Sequence, residues 1–368
     1  MGEELGRRQL HERGVHDNLG HKAFAVGLDL TDLSLQQINI CEMPRTLAIH
    51  SGIIAVACQK NAQLALYDID QESISYIDLP ANSAPYGVAG RTNSWWISLS
   101  ATGQFANYSN GTVELIDVGP DPRGITVLTD GRVVSPRWRS VNTGGEIYIW
   151  DNDSLQKIEL DVDTSGDSDN TTGGIPNLLD IAIPSPDGKE LFVPMLHSNT
   201  LRGLYQNSQP QNHETSLRAI LARPSLDQYQ ENVTDRKQFD ERGRASAIAL
   251  SPLGDYAYVL HPSTGTITIL DAFNQQLVGS ILNIGNMPTG IALDTEGNTL
   301  YVYAWLDRQV LAYDLSSKSQ PEHLWTQSIC LEEPLDPAVL LGKQIFHNAS
   351  DTRITRSGYI SCSNCHPD

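Results

Sequence analysis

The sequence ends in "GYISCSNCHPD", which places Cys362, Cys365 and His366 at the spacing Cys-x-x-Cys-His. Two thiols separated by two residues can form thioethers with the vinyl-derived carbons on one edge of a porphyrin. The histidine after the second thiol can then ligate the iron. The motif points to covalent haem c, with Cys362 and Cys365 as attachment thiols and His366 as the proximal axial iron ligand. Half of a zinc site and a redox dithiol use similar pairs. Zinc would need two more ligands from a second cluster, which the sequence does not offer. A thioredoxin-type dithiol would stand in a βαβ context, which is absent.

A haem needs more wall than the residues after His366 supply, so the expectation is a polypeptide that continues past Asp368. The start, "MGEELGRRQLHERGVHDNLG", lacks the apolar core of a secretory signal. Haem c is attached outside the cytoplasm in bacteria, so an incomplete N-terminus and a periplasmic or extracellular protein are expected.

A second set of possible ligands lies in "DVDTSGDSDN". Asp161, Asp163, Ser165, Asp167 and Asp169, with Gly166 at the turn, imitate the start of a calcium loop. Thr172 stands where that loop has its bidentate Glu, and Ser165 is a weaker ligand than Asp. An acidic, solvated surface loop is therefore favoured over calcium. His50, His197, His213, His261, His323 and His347 show no ligand-like spacing, and no Ser/His/Asp set, Walker loop or His-Glu-x-x-His is present.

The elements that must carry these residues repeat. "PRTLAI", "PYGVAG", "PRGITV", "LLDIAI", "ASAIAL" and "PTGIAL" share an apolar anchor, at Leu47, Val88, Ile125, Ile181, Ile248 and Ile291. The anchors are 41, 37, 56, 67 and 43 residues apart, and the shorter intervals suit four-stranded propeller blades. Strand endings in Asp recur at Asp68, Asp117, Asp151, Asp271 and Asp314, each read as the end of a third strand. Alternating apolar positions and turns such as "SPDGKELFV" and "DTEGNTLYV" indicate short antiparallel strands. The fold class read from this is all-β: a β-propeller, then the start of an α-helical segment. Six full units and the half-unit "AFAVGLDLTDLSLQQINI" predict seven blades, the first incomplete. The insertion over 207–243 predicts a short helix over the propeller, able to dock the tail.

With 368 residues, 40% apolar and 19% charged, the chain has the composition of a packed globular protein. A net charge of −19 argues against nucleic acid or an anionic membrane surface as partner. No run reaches transmembrane length. Cys41 and Cys58 read as buried free thiols, with a bridge between neighbouring strands as the alternative, and Cys330 is left over.

The blade spacing and turns resemble the YVTN-type bacterial β-propellers over roughly residues 22–330. After this, "EEPLDPAVLLGKQIFHNA" opens a helix with Asp336 as N-cap, Pro337 at the first position, and Leu341 and Ile345 on one apolar face. Leu341-Gly342, Ile345-Phe346, Asp351, Ile354-Thr355, Gly358 and Ile360-Ser361-Cys362 resemble the N-terminal haem segment of the di-haem cytochrome c peroxidase family. Ile354 and Thr355 stand where that family usually has Leu and Ser. These readings divide the chain into an irregular N-terminal segment (1–21), a propeller (22–330) and the start of a cytochrome c domain (331–368).

The resemblance implies haem binding, electron transfer with a redox partner protein or a small-molecule oxidant or reductant, and peroxidase-like chemistry in a longer protein. A non-enzymatic binding or surface-attachment propeller with an accessory cytochrome is the alternative. A quinohaemoprotein dehydrogenase is weaker, because the repeated Trp-docking motif of those propellers is absent. Oligomeric state and propeller site residues are not legible.

Overall fold

The computed structural model describes residues 23–151, 153–165, 171–199, 216–330, 333, 335–355 and 358–367. Its regular structure is dominated by antiparallel β-sheet: six blade sheets and one two-stranded sheet. The chain divides into two compact units. One is residues 1–136 with 148–156 and 329–334, and the other is 137–147 with 157–328 and 335–368.

In the first unit, blade 1 runs Pro44–His50, Ile53–Cys58, Gln63–Asp68 and Ser73–Asp78. Blade 2 runs Pro85–Arg91, Ser94–Leu99, Gln104–Ser109 and Thr112–Asp117. The second strands, "IIAVAC" and "SWWISL", are buried at every position after the first, whereas the fourth strands are largely exposed. A strand covered on both faces reads as a continuous apolar run, and an outer strand with one wet face does not. Blade 3, whose residues are divided between the two units, consists of Thr126–Val127, Val133–Pro136, Gly144–Asp151 and Ser154–Asp161.

In the second unit, the first position of blade 4 is split. Ile175–Asn177 and Ile183–Pro184 both pair with Leu191–Ser198, and Leu217–Ala222 and Lys237–Phe239 complete the sheet. Blade 5 is Ala247–Leu250, Tyr256–His261, Thr266–Asp271 and Leu277–Leu282; blade 6 is Pro288–Leu293, Thr299–Ala304, Gln309–Asp314 and Glu322–Ser328. Phe192 and Leu221 of blade 4 pack with Ile248 and Val259 of blade 5, and Leu260 and Ile269 of blade 5 pack with Leu300 and Leu311 of blade 6. Blade 5 thus buries its two faces against blades 4 and 6. The turns interlock as well. A Cβ on Gly254 (φ +74°) would come within 2.8 Å of Pro186, and one on Gly297 (φ +73°) within 2.6 Å of Pro252. Both positions need glycine for its left-handed backbone and for the close approach.

The recurring aspartates start the turn into the fourth strand. Asp68 Oδ1 accepts from the N–H groups of Asp70 and Gln71, and Asp271 Oδ1 from those of Phe273 and Asn274. This is the Asx-turn chemistry of a short acidic side chain. "VELID" departs from the pattern: Asp117 ends the fourth strand of blade 2, not the third.

Three further sequence expectations need correction. Six blades form, not seven. The half-unit makes a two-stranded sheet, Ala23–Leu28 with Leu35–Cys41. Ile38 and Ile40 of that sheet pack with Ile54, Tyr67 and Ile74 of blade 1, so it supplements an existing blade. Second, Cys41 and Cys58 are joined in a disulfide with Cα atoms 5.9 Å apart, tying this sheet to blade 1. Third, the insertion forms no helix over Leu217–Ala222. That segment is the buried third strand of blade 4, because a short apolar run does not distinguish helix from strand by periodicity. Residues 207–215 lie outside the described residues.

Candidate functional site

The tail begins as expected. Asp336 Oδ1 accepts from the Ala338 N–H at 2.8 Å, Pro337 occupies the first turn, and the helix runs Pro337–His347. Its amphipathic face is not covered, however. Val339, Leu341, Ile345 and Phe346 are exposed, and no residue of the helix is buried. No helical cytochrome domain is assembled among the described residues, where the tail has only this helix and one single turn.

The end of this helix and the segment after it are held on blades 5 and 6. The Ala349 N–H donates to Ser263 O at 2.7 Å, Ser350 Oγ to Thr264 O at 3.1 Å, and Gln344 Nε2 to Leu306 O at 3.3 Å. His347 meets Trp305 edge-on, with ring centroids 5.8 Å apart. Partial desolvation of this half-buried ring, and then the charges of Lys343 and Arg244, lower the pKa of His347 to about 4, so it is neutral at pH 7.

The Cys-x-x-Cys-His motif forms one helical turn, Cys362–Cys365, with Ser361 as N-cap. Asn364 Oδ1 accepts from the Ser361 N–H at 2.9 Å and from Ser361 Oγ at 2.8 Å. Ser361, Ser363 and Asn364 are buried, while Cys362, Cys365 and His366 are exposed. Positions i, i+3 and i+4 share one side of a helical turn, so the three chemically capable residues face away from the protein together. Cys362 and Cys365 are free cysteines. Partial desolvation, and then the neighbouring Cys362, push the Cys365 thiol above its ordinary pKa.

Among the described residues, no group of three or more His, Cys, Asp or Glu side chains is placed to hold a metal ion. Zinc would require such convergence on one point. Thioether attachment does not, because thiols and imidazole meet different atoms of a porphyrin.

The acidic loop is only partly described: Gly166, Asp167 and Asp169 lie outside the described residues. Asp161 and Ser165 are exposed, whereas Asp163 is buried and accepts from the Ser165 N–H at 2.8 Å. The Asp161 carbonyl accepts from Arg236 Nη2 at 2.7 Å. Arg236 is also paired in the interior with Glu231 at 2.6 Å and donates to His197 Nε2 at 3.0 Å. His197 Nδ1–H donates to Thr172 O at 3.1 Å, which fixes a neutral ring. Nothing in the sequence spacing signals this network. By contrast, the Ser361–Asn364 cap is visible in retrospect as a Ser-x-x-polar pattern.

No protein-family model matches the sequence, and no curated protein matches it. Solved structures do. Hydrazine synthase of Kuenenia stuttgartiensis is 12% identical, with 80% of this chain and 90% of that one covered and a TM-score of 0.61. The Cps50 (Swd1) β-propeller domain of Myceliophteria thermophila is 7% identical over 78% and 87%, with a TM-score of 0.53. The chain has the β-propeller fold. Virginiamycin B lyase from Staphylococcus aureus is also similar to this propeller, at 12% identity over 76% and 83% and a TM-score of 0.54. At such identities the likeness is one of fold, and a propeller fold does not name an activity.

Proposed function

We propose that Cys362, Cys365 and His366 attach haem c covalently, making the protein a propeller-borne c-type cytochrome for electron transfer. The observation that carries this reading is the single turn on which both thiols and the imidazole are exposed while the residues between them are buried. Cys362 and Cys365 would hold the cofactor by thioethers, and His366 would be its proximal ligand. Bound there, haem iron supplies one-electron oxidation and reduction. The Ser361–Asn364 cap fixes the turn that spaces the thiols. Peroxidase-like turnover is the narrower form of this reading, implied by the family resemblance alone.

Export from the cytoplasm belongs to the same proposal. The Cys41–Cys58 disulfide supports it, because structural disulfides persist in oxidising compartments. The test is to export the chain alongside a haem c maturation system and stain the denatured polypeptide for haem. Retained stain in the wild type, lost in Cys362→Ser/Cys365→Ser, is expected; an unstained wild type would overturn the reading.

A further inference from the structure

Three segments of the second unit meet around one open cleft that the tail chemistry does not use. They are the turn 262–265 of blade 5, the link 283–287 from blade 5 to blade 6, and Asn348 and Ser350 of the tail. Hydrogen bonds fix each wall. Gly265, in left-handed backbone at φ +58°, accepts at its carbonyl from the Ile284 N–H at 3.0 Å. The Asn286 N–H and Nδ2 both donate to the Asp307 carboxylate, at 2.6 and 2.8 Å. On the tail side, the Ala349 N–H donates to Ser263 O and Ser350 Oγ to Thr264 O. A cleft held in shape before its ligand arrives loses little ordering entropy on binding.

No lining residue is charged, and three are asparagines. Each carboxamide keeps hydrogen-bonding capacity in reserve. Asn348 Oδ1 accepts from the N–H groups of Ser350 at 2.7 Å and Asp351 at 3.3 Å, so among the described residues its Nδ2 is a donor without a partner. Asn286 is turned the other way: its Nδ2 is taken by Asp307, and its Oδ1 is left to accept. Both orientations follow from the partners, since a carboxylate only accepts and a backbone N–H only donates. Asn283 is exposed, and its side chain makes no hydrogen bond among the described residues.

Donors and acceptors lining one cleft without a charge suit hydroxyl groups, which do both. An anion would meet no cation on this lining, and a hard metal ion no carboxylate. Met287 adds an apolar surface for the C–H groups of a ring. We propose that the cleft binds a neutral saccharide through the carboxamides of Asn283, Asn286 and Asn348. The site does not rest on haem attachment.

Saturation-transfer NMR on the purified full chain with D-glucose, N-acetylglucosamine and maltose tests this. A saturable signal from at least one sugar is expected, with an affinity at least threefold weaker in Asn283→Gly. Glycine removes a carboxamide that no described group uses and suits the φ of +58° at this position, so the fold is kept. Asn283→Asp retains the shape but loses both N–H donors, and it too is expected to bind at least threefold more weakly. In the wild type, bound sugar should also slow amide exchange over 283–287 and 348–350. A signal from maltose alone assigns an oligosaccharide, and one from either monosaccharide a single ring. If no sugar saturates, if either folded variant binds within threefold of the wild type, or if exchange in both segments is unchanged by sugar, the proposal is overturned.

Discussion

The backbone N–H of His366 donates to the carbonyl oxygen of Cys362 at 3.0 Å, closing the turn that carries both exposed thiols. The spacing between the two thiols and the imidazole is therefore set by the polypeptide itself. Asn364 closes the other end of the same turn through Ser361. The chemistry and its scaffold occupy alternate sides of six consecutive residues.

Removing the cap should loosen the turn without unfolding the protein. Asn364→Ala is expected to cost about 1 kcal/mol locally, the usual scale for a lost cap. Amide hydrogen exchange of residues 361–366 should accelerate while the midpoint of thermal unfolding stays within about 2 °C. Unchanged exchange would show that Asn364 does not hold the turn.

The disulfide should matter for stability. Cys41 and Cys58 are 17 residues apart in sequence, and a loop of that size stabilises by about 3 kcal/mol in the chain-entropy picture. Cys41→Ser/Cys58→Ser should lower the unfolding free energy by ~2–3 kcal/mol in a denaturant titration, and a thiol reductant should reproduce the loss on the wild type. A loss below about 1 kcal/mol would mean that Ile38 and Ile40 hold the two-stranded sheet without help.

Acid should weaken the fold through buried histidines. His261 donates from Nδ1 to Gly243 O at 2.9 Å, and burial lowers its pKa to about 3. His197 is lowered by burial and then by Arg236. In the unfolded chain each binds a proton near pH 6.5. Between that pH and the folded value the unfolded state holds more protons, so stability falls as pH falls. Each histidine contributes up to about 1.4 kcal/mol per pH unit across that window. Unfolding titrations from pH 7 to 4 should show the decline, and His261→Gln should flatten it; an unchanged slope in that variant would exclude His261 as a source.

Much of the fold is written locally. The anchors Leu47, Val88 and Ile248 lie on first strands and are buried, because each blade repeats the same covered position. The features that were not legible depend on partners distant in sequence. Leu217–Ala222 reads equally well as helix or strand until Leu191–Ser198 offers an edge to pair with. The half-unit 23–41 looks like a seventh blade until Ile38 and Ile40 find blade 1. At the tail, residue types and spacing motivate the haem proposal, but the burial of Ser361 and Asn364 beside two exposed thiols comes only from packing.

The most direct test is the pyridine haemochrome spectrum of the exported, matured protein after acid–acetone extraction. Covalent attachment predicts a c-type spectrum that remains with the polypeptide, and a colourless Cys362→Ser/Cys365→Ser variant. A colourless wild type, or colour that leaves with the solvent, would contradict it.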